Sequence, residues 1–128
     1  MAVTVTNTLI SALNAEQTFT ANAATSTTID EAEVFTITPT GKDNKMSIVM
    51  GNATGHGAFT FSIAAGAGVF STGVACTGDV AAGALEVIQI ETGKYMSAAG
   101  TVVVTLTPAS GKRLLTDHAA VMYELELK

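Results

Sequence analysis

Lys45-Met-Ser-Ile-Val-Met50, a turn from Gly51 to Gly57, and then Ala58-Phe-Thr-Phe-Ser-Ile-Ala64 form the stretch that decides the fold. Side chains on a strand point alternately to opposite faces, so Met46, Ile48 and Met50 share one face, as do Phe59, Phe61 and Ile63. The pattern extends in both directions. Upstream, Phe35 and Ile37 face inward while Thr36 and Thr38 face out, and Pro39 with Thr40-Gly41 closes that strand because proline cannot continue a ladder. Downstream, strands are expected at 84–90, 101–107 and 119–127, in addition to 45–51 and 58–64. Short strands with turn signals at close intervals point to a sandwich or barrel and away from alternating strand–helix units. The predicted fold is all-β: an antiparallel, jelly-roll-like β-sandwich with little helix, the alternative being a small β-barrel.

Several segments depart from simple alternation. Leu85-Glu-Val-Ile-Gln-Ile90 is apolar on both faces, which predicts a bulge or a strand covered on both sides, as at a subunit contact. Gly66 to Gly83 is long and rich in small residues, only weakly strand-like around Val74 to Cys76, and reads as an exposed loop pair. In the last strand Val121, Tyr123, Leu125 and Leu127 share a face and Glu124, Glu126 and Lys128 are expected in water, as on an edge or near-edge strand guarded by charge. Brief helical turns are possible only at Leu9–Leu13, Asn14–Glu16 and Leu114–His118. Residues 1–32 are patchier still, with strand-like runs at Ala2–Thr6 and Gln17–Ala21 and a polar tract from Asn22 to Thr28. They are expected to form an arm lying on its own sandwich or on a neighbouring subunit, or else a peripheral hairpin, with residues 33–128 as the single sandwich domain.

The totals restrict function. For 128 residues, scaling gives a folded surface of roughly 6,300 Å², enough for one core and no more. The chain is 48% hydrophobic but only 13% charged, a surface weakly defended against association and therefore suited to being covered. A net charge of −5 and six scattered basic residues, Lys42, Lys45, Lys94, Lys112, Arg113 and Lys128, argue against nucleic-acid binding. Cys76 stands alone, so no intrachain disulfide forms. The opening residues show no positive region followed by an apolar stretch, and no segment approaches membrane-span length, so synthesis in a cytoplasm and no membrane partner are expected.

Candidate chemistry is sparse. A nucleophile needs a base and a group to orient it, yet His56 in Gly55-His-Gly57 and His118 after Asp117 neighbour neither Cys76 nor a nucleophile elbow; both read as turn residues. Two His and one Cys in separate segments make no zinc pattern, and Asp30-Glu31-Ala-Glu33 lacks the spacing of a calcium loop, reading instead as a solvated strand entrance. Gly66-Ala-Gly68 lacks the third glycine and following helix of a dinucleotide loop, and Gly51 to Gly55 lacks the Lys-Ser/Thr of a phosphate loop. Asn52-Ala-Thr54 matches a glycosylation acceptor only by spacing. Cys76 reads as a small buried apolar residue or an idle thiol. No catalytic, cofactor-binding or metal-binding residue is assigned, and an enzyme is not expected.

Thr38 to Asn52, then Phe59-Thr-Phe-Ser-Ile-Ala-Ala-Gly66, then Val87-Ile-Gln-Ile-Glu-Thr-Gly-Lys-Tyr95 and Gly100-Thr-Val-Val-Val104 follow an order that resembles the small head decoration, or cement, proteins of tailed bacteriophages. The resemblance covers about half the chain, residues 36–100, and its motifs are structural. It places Lys45, Asn52, Gly66, Glu91, Lys94 and Tyr95 at recurring framework positions and carries over no catalytic residue. Residues 1–30 and the strand after Pro108 fall outside it.

What the resemblance implies is a virion structural protein, made in the host bacterial cytoplasm and docked on the capsid exterior. Its partners would be the major capsid protein and its own copies, as a homotrimer. The rival from another class is a carbohydrate-binding sandwich of a phage fibre or surface protein; with no Trp and only Tyr95 and Tyr123 as phenols, the aromatic platforms that sugar binding uses are few.

Overall fold

The computed structural model describes residues 1–11, 14–40 and 44–127. Two five-stranded β-sheets pack face to face around one core. The first sheet runs in the order β1 (Ala2–Thr4), β4 (Glu33–Ile37), β9 (Val102–Thr107), β6 (Phe59–Ile63), β7 (Cys76–Val80). The second runs β2 (Thr8–Ile10), β10 (Val121–Leu127), β5 (Lys45–Gly51), β8 (Leu85–Glu91), with the two-residue β3 (Asn22–Ala23) against the start of β10. The single helical turn among the described residues, α1 (Thr92–Tyr95), follows β8. The chain is therefore a β-sandwich with little helix. Its sheets are mixed, because β1 pairs parallel to β4 and β2 parallel to β10.

The core is what the alternation in β4, β5 and β6 predicts. Phe35 and Ile37, then Met46, Ile48 and Met50, then Phe59, Phe61 and Ile63 are all buried, and Val102, Val104 and Leu106 meet them from β9. Total accessible surface is 6727 Å², close to the value expected for one well-buried core of this length.

Residues 1–32 contribute to this sandwich directly. The first ten residues form one extended run that begins at the edge of the first sheet as β1, crosses over, and ends at the edge of the second as β2. The Val5 N–H donates to Thr36 O at 2.9 Å between the two pairings. Asn22 fastens the crossing: its Oδ1 accepts from the Thr6 N–H at 2.7 Å, and its Nδ2 donates to Met122 O at 3.1 Å. One strand thus seals both sheets on one side. On the other side the edges are β7 and β8, joined by the short turn at 81–84.

Several sequence expectations are corrected. The first concerns β10, which lies next to the edge strand β2, within the expected edge or near-edge place, but is turned the other way: Met122, Glu124 and Glu126 are buried, while Val121, Tyr123 and Leu125 are half-buried on the outer face and Leu127 is exposed. The cause is register. Met122 pairs with Met50 and Glu124 with Ile48, so the parity of β5 fixes that of β10, and a one-residue slip would reverse every side chain. The second concerns β8, which has no bulge; it pairs with β5 without interruption from Lys45↔Glu91 to Gly51↔Leu85. The third concerns 66–83, which contains the edge strand β7, paired to β6 along its whole length. Leu114–His118 is a set of turns, and Thr8–Ile10 is a strand; Leu13 and Lys128 lie outside the described residues.

Candidate functional site: an uncharged apolar face

The register of the second sheet assigns its outward residues row by row. Val121, Gly51 and Leu85 form the first row, Tyr123, Val49 and Val87 the second, and Leu125, Ser47 and Gln89 the third. None of these nine residues is charged. Only beyond them, at Lys45 and Glu91, does charge appear. Leu85 is 71% exposed and Val87 65%. Outward faces of sheets normally carry polar residues, and contiguous bare apolar surface of this kind marks interaction sites.

Gly51 shapes the first row. A Cβ at this position would stand 2.9 Å from Val121 Cγ1 and 3.0 Å from Leu85 Cδ2, so the missing side chain lets the flanking residues lean together over β5. The result is a continuous apolar floor. At its far end, where charge returns with Lys45 and Glu126, Ile10, Ser47, Gln89, Leu125 and Leu127 complete the lining of a shallow groove of about 290 Å³.

A second apolar feature lies at the charged end of the sheet. The loop after β6 carries Val69 (93% exposed), Phe70 (75%) and Val74, all bare. Its root is fixed by Gly66, whose N–H donates to Lys94 O at 3.1 Å, and by the Ala67 N–H, which donates to Met96 O at 3.0 Å. A Cβ on Gly66 would fall 2.6 Å from Lys94 O, so only glycine permits this approach. Lys94 Nζ in turn pairs with Glu91 at 3.3 Å. Of the framework positions singled out in the sequence, Lys45, Gly66, Glu91 and Lys94 gather at this end, and Tyr95 packs against the core beside them. Asn52 lies at the opposite end of β5.

His56 lies close enough to Asp117 and His118 to act on both electrostatically, while Cys76 stands apart, paired with Ile63 at the far end of β6. His118 is fully buried against Phe59, ring centroids 5.7 Å apart. Its Nε2 accepts from the Ala109 N–H at 3.1 Å, which leaves the proton on Nδ1, facing Asn52 Oδ1 at 3.1 Å. Burial holds its pKa below the usual histidine value. Asn52 spends its amide on Gly57 O (2.9 Å) and Val80 O (2.8 Å), so it is a structural clamp and not an exposed glycosylation acceptor. Cys76 is half-buried at the margin of the core.

The acidic cluster disperses too. Glu33 is wholly buried and accepts from the Thr25 N–H at 2.9 Å, the Thr25 hydroxyl and the Ser26 N–H at 3.2 Å, a correction to its expected place in solvent. Asp30 accepts from the Gly111 N–H at 2.7 Å. The Ser26 hydroxyl binds Glu31 and holds its carboxyl below the usual range. Among the described residues, no group of three or more His, Cys, Asp or Glu is placed to hold a metal ion, and no helix is long and apolar enough to cross a membrane.

Sequence reasoning missed the outward face of β10 and, with it, a buried carboxyl pair. Glu124 is fully buried on the inner face, and neither of its oxygens meets a donor. Glu126, two residues on, shares that face, and its Oε2 accepts from the Thr40 N–H at 2.9 Å. Burial, with Glu126 beside it, pushes the Glu124 carboxyl up to about 9. The available signal was Met122: continuing the apolar set Met46, Ile48, Met50 through it turns both glutamates inward.

No family model matches the chain, and no curated protein or solved structure is significantly similar to it.

Proposed function

We propose that the chain is a structural virion protein that decorates the exterior of a bacteriophage capsid and stabilises it by binding across major capsid protein subunits, with its own copies associating as a trimer. The observation that carries this reading is the outward face of the second sheet: nine neighbouring positions without a charge, with Leu85 and Val87 bare. The exposed Val69, Phe70 and Val74 add a second contact surface at one end. The order of motifs over 36–100 supports the same reading. Covering one such aliphatic side chain contributes about 1.5–3 kcal/mol. A modest contact suffices when many copies each tie adjacent capsomers, because linked contacts act at high effective concentration.

The test is to add purified protein to expanded capsids that lack it. Co-sedimentation at a fixed stoichiometry and greater resistance of the shell to heat are expected. Protein left in the supernatant above intact capsids would remove the reading.

A further inference from the structure

The two sheets end in edges of unequal length. β1 and β2 are three residues each, β7 is five and β8 is seven. An open edge is a row of unpaired N–H and C=O groups, and natural sheets guard it with shortness, bulges, proline or charge. β8 has neither bulge nor proline. Its ladder to β5 fixes which of its groups are free. The Asn52 N–H donates to Ala84 O at 3.0 Å and the Thr92 N–H to Asn44 O at 2.7 Å, so Ala84 and Thr92 sit in bonded pairs, and the alternation of an antiparallel ladder gives Glu86, Ile88 and Ile90 to β5 as well. The N–H and C=O groups of Leu85, Val87 and Gln89 therefore point away from β5, out of the edge.

The side chains of the edge select what can pair with it. A strand laid beside β8 would extend the rows of the outward face by one column, so its outward side chains would meet the exposed Leu85 and Val87 and favour apolar partners. On the opposite face it would meet Glu86, which is exposed, and Ile88, which is half-buried. β7 and β8 carry Asp79, Glu86 and Glu91 and no Lys or Arg, and Lys94, just beyond, is paired with Glu91 at 3.3 Å. The edge is thus anionic. A second copy of this chain, itself at net charge −5, would set the same carboxylates against these, whereas a strand with Lys or Arg beside Glu86 would neutralise it. Past Glu91 such a strand would run into a groove of about 300 Å³ lined by Asn44, Phe70, Glu91, Gly93 and Lys94, where the exposed Phe70 offers an apolar wall.

We propose that β8 receives an extended segment of the capsid subunit as an added strand of the second sheet, a segment apolar on the side of Leu85 and Val87 and basic beside Glu86. This rests on the capsid reading above and adds how the partner is held: main-chain hydrogen bonds to Leu85, Val87 and Gln89 supply affinity, and alternate side chains supply selectivity. The edge and the apolar face can be tested apart. Gln89→Pro removes an N–H that β5 does not use and leaves Leu85 and Val87 in place.

Amide hydrogen exchange and co-sedimentation with expanded capsids test this on the full chain. In the free protein the Leu85, Val87 and Gln89 amides should exchange near their intrinsic rates while those of Glu86 and Ile88 are protected; on the capsid the first three should slow by about a hundredfold. Gln89→Pro and Glu86→Lys should each melt close to the parent and bind capsids about tenfold more weakly. Glu86→Lys changes an exposed side chain, so it decides the matter should proline disturb the fold. A parent that binds capsids while those three amides stay fast would overturn the added strand and leave the apolar face as the docking surface. Capsid binding unchanged in both variants would do the same. Slow exchange at the three amides in the free protein, at the mass of two copies, would overturn it by making a second copy the occupant. A parent that stays in the supernatant above intact capsids removes the capsid reading itself, and this partner with it.

Discussion

His118 accepts at Nε2 and donates from Nδ1, so its surroundings fit a neutral imidazole and leave no acceptor for a second proton. Its folded pKa lies below the usual 6.5, so the folded state binds fewer protons than the unfolded one. The stability this contributes is complete above about pH 6.5 and is lost as pH falls toward the folded value. His118→Ala would also strand the Ala109 N–H and Asn52 Oδ1, and a loss of about 3 kcal/mol is expected in urea unfolding at pH 7. Glu124 has the opposite sign. Its folded pKa, about 9, lies above the ordinary 4.5, so folding takes up a proton and stability declines as pH rises from 4.5 toward 9. Glu124→Gln should be close to neutral at pH 4.5 and stabilising by about 4 kcal/mol at pH 8, read from urea midpoints at the two values. A uniform effect at both would mean that the carboxyl stays ionised in the fold.

At the scale of elements, β10 shows where sequence and structure part. β4, β5 and β6 were legible because Phe35 and Ile37, then Met46, Ile48 and Met50, then Phe59, Phe61 and Ile63 alternate with Thr, Ser or the smaller Val49, so burial and alternation give the same answer. In β10 the set Val121, Tyr123, Leu125, Leu127 is more apolar than Met122, Glu124, Glu126, yet the latter faces inward because β5 sets the register. The misleading alternation and the bare apolar face are one fact: a hydrophobic set placed outward. β2 and β7 were hidden for a different reason. They are short edge strands, defined by pairing to distant segments and not by their own pattern. At Gly66 the close approach to Lys94 O requires the missing side chain. Gly66→Ala should push α1 away from the loop after β6 and lower stability by about 1–3 kcal/mol, with hydrogen exchange accelerating first at 66–75 and in α1.

For the whole molecule, the N-terminal strand closes one side of the sandwich, β7 and β8 leave the other open, and one broad face carries no charge. Deletion of 1–32 therefore reaches beyond the N-terminus itself, since it removes strands from both sheets and takes Thr25 and Ser26 away from the buried Glu33. Point changes on the bare face separate docking from folding. The side chains of Leu85 and Val87 project into solvent, so Leu85→Glu and Val87→Lys should shift stability by no more than about 0.5 kcal/mol. The most direct measurement is co-sedimentation of the Leu85→Glu/Val87→Lys protein with expanded capsids, beside the parent and a control changed on the opposite sheet at Thr105→Lys. The account predicts a double variant that melts like the parent and stays in the supernatant, while parent and control pellet with the shell. A double variant that pellets as well as the parent would contradict the assignment of this face as the part that covers a capsid seam.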